Sequence, residues 1–266
     1  MSEIRLFYHG PNKNQINFGD ALSPIIVNRI TGKKVIYSSI LKCELIAIGS
    51  ILDIYFRWRA LRSILGFNRN LVVWGSGFIK QGRELDAIGL SIAAVRGPNT
   101  VARLNLSSNT TMGDPGLLAS MICQRKTTPR YAWGVVPHKV DIDSPWVKLI
   151  LQNTKHSTLV RVDQDPMETL TQISECERIV SSSLHGLIIA DSLGIPNWWM
   201  KLSDSLIGGG WKFNDYFLSV GKNDEFPIQI PSSGNLTDAD LSSNFSYWKI
   251  IPKIHDNLCK SLRNIY

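Results

Sequence analysis

The run RIVSSSLHGLIIADSLGIPNWWM, residues 178–200, contains the signals of a strand, a helix and a second strand in succession. Residues 178–182 are centred on Ile and Val, and residues 184–193 continue as an apolar helix. Gly194-Ile195-Pro196 then ends the helix and opens a strand at 197–200. A strand, a crossover helix and a strand of these lengths predict two neighbouring strands of a parallel sheet.

The same alternation of strands and helices extends in both directions from this run. We predict strands at 4–9, 34–37, 44–48, 71–74, 91–95, 110–112, 132–136 and 158–162, and helices at 21–31, 117–122, 146–152, 167–176, 212–220 and 247–262. The polar stretch 124–130 interrupts the alternation, so we place a domain boundary there. The predicted fold class is α/β, with two Rossmann-like domains facing a cleft: residues 1–128 and residues 129–245.

Composition narrows the class of protein. The chain has 266 residues, 44% of them hydrophobic and 19% charged, which suits a globular core rather than disorder. A net charge of +7 predicts anionic partners, but no long Lys/Arg block is present, so we expect no nucleic-acid partner. The sequence has no CxxC pair, no signal-peptide stretch at MSEIRLFYHG and no run long enough to span a membrane. We therefore expect a cytoplasmic protein with free thiols.

Ligands of such sheets bind beyond the carboxyl ends of the strands, so the strand-end loops are the candidate sites. The first of these loops is Asn17-Phe18-Gly19-Asp20. Asp20 either caps the following helix or acts as a base toward an acceptor hydroxyl, and the two roles are compatible.

Two further loops carry glycine or arginine. Gly75 and Gly77, in Trp74-Gly75-Ser76-Gly77, permit backbone to approach a ligand, although the full GxGxxG fingerprint is absent. Arg96 lies between a strand and a helix. Its guanidinium can bind a phosphate or carboxylate through two hydrogen bonds, or the side chain can lie at the surface. The turn Gly113-Asp114-Pro115-Gly116 is assigned a structural role.

The turn Ser181-Ser182-Ser183-Leu184-His185-Gly186 places an imidazole at a helix N-terminus, where an anion is favoured. His185 is either a general acid or base or a structural histidine. No G-x-S-x-G elbow accompanies it, which argues against a serine hydrolase. His138 follows another strand, and Lys212 follows a glycine triplet as a further cation.

Taken in order, these loops resemble the polysaccharide pyruvyl transferase family. The resemblance spans roughly residues 15–200, and Leu184-His185-Gly186-Leu187-Ile188 is its most diagnostic part. It implies a fold similar to GT-B glycosyltransferases, in which residues 246–266 form a helix that crosses back to the first domain. Many relatives carry an arginine where this chain has Ser183, so the donor-binding role of that arginine falls to another cation, such as Lys212 or Arg161, or is absent here.

The resemblance implies transfer of a pyruvyl group from phosphoenolpyruvate to a sugar of a surface polysaccharide or its lipid-linked precursor, closing a cyclic ketal. The first domain then lies on the acceptor side and the second on the donor side. His185, as imidazolium, is the expected acid or phosphate-stabilising group, Arg96 binds donor charge, and Asp20 is the expected base. We expect no cofactor and no metal. The further substrate-binding residues are Asn17, Gly19, Gly75, Gly77, His138, Ser183, Leu184 and Lys212.

Two other functions remain compatible with the sequence. A GT-B glycosyltransferase that uses a nucleotide sugar has the same two-domain cleft, because a fold does not determine a function. A non-catalytic protein that binds a glycan or a phosphate is also compatible, because Ser183 replaces the arginine.

Residues 51–70, ILDIYFRWRALRSILGFNRN, read as a basic amphipathic helix. Ile54, Trp58, Leu61 and Leu65 form an apolar stripe, while the arginines at 59, 62 and 69 group together. One interpretation is peripheral contact with an anionic membrane. The other, which is the commoner use of such a pattern, is a helix packed on the sheet with its arginines in solvent.

Overall fold

The computed structural model of the chain describes residues 3–9, 17–67, 70–203, 208–223, 225–237 and 245–266. Two parallel sheets organise them, with strand orders β2-β1-β3-β4-β5 and β7-β6-β8-β9. The strands are β1 Glu3–Phe7, β2 Lys34–Tyr37, β3 Leu45–Ile46, β4 Leu71–Trp74, β5 Leu90–Ala94, β6 Tyr131–Val136, β7 Ser157–Leu159, β8 Cys176–Ser181 and β9 Asn197–Trp199.

Helices connect these strands. They are α1 Phe18–Thr31, α2 Leu52–Ile64, α3 Pro98–Arg103, α4 Pro145–Asn153, α5 Pro166–Ser174, α6 Leu184–Ser192, α7 Trp211–Ser219 and α8 Ile251–Arg263. Four of them have proline at the first turn, where its missing N–H is not needed. The predicted α/β class with parallel strands is confirmed.

Two predicted elements between β5 and β6 differ from the structure. The segment 110–112 forms only a single bridge, between Met112 and Val95. The helix expected at 117–122 is a 3₁₀ helix, Pro115–Met121. Asp114 accepts a hydrogen bond from the Gly116 N–H, so the first turn is tight, and short tight turns favour 3₁₀ geometry.

Strand register brings the loops of each sheet to one edge. In the second sheet Val136 pairs with Ser181, and Ser181 pairs with Trp199, so β6, β8 and β9 end at the same level. In the first sheet Phe7 pairs with Ile46, so β1 and β3 also end together. The loops that follow these strands therefore lie side by side.

One large hydrophobic cluster contains residues of both sheets. Leu6 and Phe18, from the first half, belong to the same buried cluster as Leu187 and Ile188 of α6. The division into two domains at residue 128 stays a prediction.

Helix α8 packs against the first sheet. Trp74 Nε1, at the end of β4, donates to the carbonyl oxygen of Leu258 at 3.0 Å. The apolar face of α8 is buried through Ile251, Ile254, Leu258 and Leu262, but Ile250 is exposed because it lies in a preceding 3₁₀ turn, Ser246–Ile250.

Helix α2 is oriented differently from the preferred prediction. Arg62 is 6% exposed and donates to backbone carbonyl oxygens, whereas Trp58 and Leu65 of the expected apolar stripe are exposed. The expected packing with all arginines in solvent is therefore wrong at Arg62. Its guanidinium points into the protein because it donates hydrogen bonds to carbonyl oxygens of the loop before β3. Arg69 lies outside the described residues.

In the part of the chain that the structure describes, no helix has the length and apolar character needed to cross a bilayer. All four cysteines are free thiols, as predicted.

Candidate active site

A cavity of about 140 Å³ lies at the carboxyl edges of both sheets. Its walls come from the segments after β1, β3, β4, β5, β6 and β8 and from the start of α7, as parallel sheets favour. The lining residues are His9, Asn17, Asp20, Gly49, Ser50, Ile79, Arg96, His138, Ser183, Leu184, His185 and Lys212. Most of the sequence-predicted site residues are therefore brought together.

Asp20 lies in the first turn of α1, and Asn17 occupies the N-cap position. The alternative in which Asp20 caps the helix is therefore wrong, because the helix begins two residues earlier. Asn17 Nδ2 donates to Asp20 Oδ2 at 3.0 Å, while Oδ1 is buried with no hydrogen-bond partner among the described residues. Burial, and then the Asp114 carboxyl, raises the pKa of Asp20 to about 8, although Lys212 opposes the shift.

Glycines surround the reactive side chains because a larger residue has no space. A β-carbon on Gly19 would overlap the imidazole of His185, and one on Gly49 would overlap Asp20 Oδ1. Gly49 has a φ of +108°, which disfavours other residues in any case. Gly19 thus packs closely against His185, and its predicted contact with a ligand stays a prediction.

His185 lies in the first turn of α6 and is half-buried. Its Nε2 atom is buried and has no hydrogen-bond partner in the described ranges. Burial first, and then the charges of Lys212 and Arg96, lower the pKa of His185 to about 3. This lowered pKa favours the neutral ring while the cavity holds no anion, and the role of His185 as an imidazolium stays a prediction.

The three serine side chains of this turn make different contacts. Ser181 Oγ donates to the Val136 carbonyl oxygen at 2.7 Å, and Ser182 Oγ donates to Asp141 Oδ2 at 2.9 Å. These bonds hold the turn against the loop after β6. Ser183 is the N-cap of α6, yet its side chain makes no capping hydrogen bond, and it lines the cavity.

Of the two cations predicted to replace the missing arginine, Lys212 lies at the cavity and Arg161 does not. Lys212 is in the first turn of α7, and burial, followed by the charge of Arg96, lowers its pKa to about 8. Asp20 has the opposite effect on this pKa. Arg161 pairs with Asp163 at 2.8 Å on the exposed surface.

Arg96 lines the cavity, but most of its N–H groups donate hydrogen bonds to other residues of the protein. It is 1% exposed, and its guanidinium donates to Asp215 Oδ2 at 3.1 Å, to Ser50 Oγ at 2.9 Å and to the Phe78 carbonyl oxygen at 2.5 Å. Three bonds occupy three of the five N–H groups of a guanidinium. The predicted bidentate grip on a ligand is thus restricted to the N–H groups that remain.

The predicted glycine turn supports the site rather than lining it. A β-carbon on Gly77 would lie 2.6 Å from the Arg96 guanidinium, so this glycine makes room for the arginine. Gly75 has a φ of +80° and packs against Pro115. His138 does line the cavity, where burial and then the charge of Lys212 lower its pKa to about 4.

Sequence reasoning missed four lining residues: His9, Gly49, Ser50 and Ile79. A signal for the first three was present, because they follow β1 and β3 directly and so lie at the same sheet edge as Asn17 and Asp20. His9 had been assigned to a strand that ends two residues earlier, at Phe7.

The cavity combines a carboxyl whose pKa is raised to about 8, an imidazole whose pKa is lowered to about 3 and a lysine, which is a set suited to proton transfer beside an anionic ligand. No group of three or more His, Cys, Asp or Glu side chains with the arrangement of a metal site occurs in the described residues.

Comparison with known proteins identifies a family and two relatives. The family model for polysaccharide pyruvyl transferase matches residues 5–204, which is more than half of the chain. An uncharacterised protein of Acanthamoeba polyphaga mimivirus is 32% identical over 164 residues, covering 58% of this chain and 56% of that protein. The succinoglycan biosynthesis protein ExoV of Rhizobium meliloti (strain 1021) is 25% identical over 227 residues, covering 82% of this chain and 65% of that protein. The chain thus spans less than two thirds of the length of either relative.

Proposed function

Because this chain belongs to the polysaccharide pyruvyl transferase family, we propose that it transfers a pyruvyl group from phosphoenolpyruvate to a sugar of a polysaccharide or its lipid-linked precursor. The product is a cyclic ketal across two sugar hydroxyls. The proposal rests on one observation: Asp20, His185 and Lys212 line the same cavity, and Asp20 Oδ1 and His185 Nε2 are both without partners among the described residues.

Cavity size and charge support a small anionic donor. A volume of about 140 Å³ is below the roughly 300–1,000 Å³ typical of drug-sized ligands. Phosphoenolpyruvate suits that space better than a nucleotide sugar does. Its phosphate and carboxylate would meet Lys212, the free N–H groups of Arg96 and the N-terminus of α6. We assign the donor to the second-sheet side of the cavity and the acceptor to the side of Asn17 and Asp20.

The protonation states suggest that Asp20 and His185 exchange the roles expected from sequence. Asp20, with its pKa raised to about 8, carries the proton that the donor methylene needs. Protonation at this carbon consumes the enol double bond and makes the adjacent carbon electrophilic. A sugar hydroxyl then attacks that carbon, and its proton passes to neutral His185.

Ketal closure returns both groups to their starting states. A second sugar hydroxyl forms the second C–O bond at the same carbon, while the bond from that carbon to the phosphate oxygen breaks. The hydroxyl proton passes to the Asp20 carboxylate, and the imidazolium of His185 gives its proton to the departing phosphate. The donor and the diol thus yield the ketal and inorganic phosphate, with every proton accounted for.

Binding of an anionic donor also favours the protonated form of His185 that the reaction requires. The charges of Lys212 and Arg96 contribute to the lowered pKa of His185. A phosphate bound beside those cations offsets their charge and raises that pKa, so His185 becomes a competent base only when the donor is present.

The decisive experiment incubates the protein with phosphoenolpyruvate and candidate glycan acceptors, with mass spectrometry and phosphate assays as readouts. We expect acceptor-dependent release of phosphate together with a gain of one pyruvyl ketal. Thermal stabilisation by phosphoenolpyruvate, compared with nucleotide sugars, tests donor class separately. Stabilisation by nucleotide sugars alone would favour a glycosyltransferase, and donor binding with no product on any acceptor would favour a non-catalytic binding protein.

A further inference from the structure

Helix α2 buries an arginine and exposes large apolar side chains. Arg62 NH1 donates to the carbonyl oxygens of Ile40 at 2.9 Å and Leu41 at 2.8 Å, and NH2 donates to that of Cys43 at 2.8 Å. Trp58 is 42% exposed, Ile64 80% and Leu65 51%. Leu52 and Tyr55 are buried in the usual way, so the unusual features of α2 are its buried arginine and these exposed apolar side chains.

We define the α2 outer face as Arg57, Trp58, Ile64 and Leu65. Arg57 and Ile64 are seven residues apart, as are Trp58 and Leu65, so each pair lies on one side of the helix, about 10 Å apart along its axis. Trp58, Ile64 and Leu65, the residue that follows the helix, are thus three large exposed apolar side chains within about two turns, and such groups of exposed apolar side chains mark interaction surfaces.

We propose that the α2 outer face docks on an anionic lipid surface. A tryptophan, two branched aliphatic residues and an arginine are the chemistry of an interfacial helix, in which the apolar side chains enter the headgroup boundary and the cation meets lipid phosphate. The net charge of +7 attracts the whole chain to such a surface.

The position of α2 links this face to the cavity. The helix begins at Leu52, two residues after Ser50, which lines the cavity. Its 13 residues span about 20 Å. Docking along α2 therefore holds the cavity next to the headgroup layer, where a lipid-linked acceptor lies. Only this last step rests on the proposed function; the docking itself does not.

The experiment is flotation of the full chain with vesicles of phosphatidylcholine alone and of phosphatidylcholine with phosphatidylglycerol. We expect binding to the anionic vesicles that weakens at high salt, since exposed charges are screened. The variant Trp58→Ser/Ile64→Ser/Leu65→Ser should lose binding by at least about tenfold, and Arg57→Gln by about fivefold. The matched control is Phe226→Ser, because Phe226 is also highly exposed but belongs to another surface.

Both sets of substitutions are at exposed positions, so melting temperature and circular dichroism should match those of the unmodified chain. Absence of binding to anionic vesicles, or unchanged binding by the triple variant, would overturn the proposal.

Sedimentation velocity tests whether a second copy of the chain, rather than a membrane, binds to the α2 outer face. A dimer that the triple variant converts to a monomer, without vesicle binding, would assign this face to a second copy of the chain instead. Pyruvyl transfer to a soluble acceptor should be unaffected by the triple variant, so a failure of docking and a failure of the proposed reaction are distinguishable.

Discussion

The imidazole of His185 packs directly on the α-carbon of Gly19, with no space for a β-carbon between them. Gly19 is in the first turn of α1 and His185 in the first turn of α6, so this contact sets the two helix N-termini against each other. It fixes the ring next to Asp20, which follows Gly19 in the chain.

Gly19→Ala should therefore displace the His185 ring and lower kcat/KM about 100-fold. Its matched control is Gly32→Ala, at the other end of α1, where φ is +67° and nothing lies near the β-carbon position. The control should lose about 1 kcal/mol of stability through backbone strain and keep its activity. Equal activity in the two variants would contradict a positioning role for Gly19.

His185→Ala should abolish turnover and leave the fold intact, since Nε2 makes no hydrogen bond with the described residues that the substitution would remove. Loss of a general base costs about 10²–10⁴-fold in rate. His185→Gln, which keeps the volume and loses the titrating nitrogen, should be similarly inactive and should still bind phosphoenolpyruvate. Near-normal ketal formation by either variant would remove His185 from the mechanism.

Asp20→Asn should raise stability while it lowers activity. The folded-state pKa of Asp20 is raised from 3.8 to about 8. A raised pKa contributes stability that is fully present below about pH 4 and is lost as pH rises toward 8, at about 1.4 kcal/mol per pKa unit. Asparagine removes that loss, so the melting-temperature difference between variant and unmodified chain should grow across this window. A difference independent of pH would contradict a buried, protonated Asp20.

Lys212→Met should raise KM for phosphoenolpyruvate by roughly 10–100-fold, the effect of losing one charge-assisted hydrogen bond. Arg161→Gln is its control, because Arg161 pairs with Asp163 at the surface away from the cavity. We expect no change of KM in that control, measured by steady-state kinetics. The opposite result would assign the replacement cation to Arg161.

Asp191→Ala should destabilise the fold by about 3–5 kcal/mol, since it leaves several buried donors unpaired. Asp191 lies in α6 and joins it to α7 and to the C-terminal segment. Its carboxylate accepts hydrogen bonds from Asn197 Nδ2, Tyr216 OH, Tyr247 OH and Trp248 Nε1 and is 3.7 Å from Lys222 Nζ.

The surface variant Asp163→Ala provides the comparison for Asp191. It removes an exposed ion pair and should change the free energy of unfolding by at most about 1 kcal/mol. Chemical denaturation measures both variants, and equal effects would contradict the structural role of the Asp191 network.

Local pattern alone determined the α/β class and the strand-end location of the site. Each strand or helix has its own periodicity, and parallel strands carry their following loops to one edge. The strand-end pattern therefore placed Asn17 and Asp20 in one group of loops and His138 and His185 in another, while Lys212 was only one of two candidate cations.

Tertiary structure alone decided the surroundings of these residues. Burial and charges from distant segments raise the pKa of Asp20 and lower that of His185, and local sequence pattern indicates neither shift. Arg96 binds Asp215, which lies 119 positions away in the sequence, and so is only partly free for a ligand. Arg62 turns inward for carbonyl groups that helical periodicity does not reveal. In each case the deciding partner comes from another part of the chain, and only folding brings it within a few ångströms.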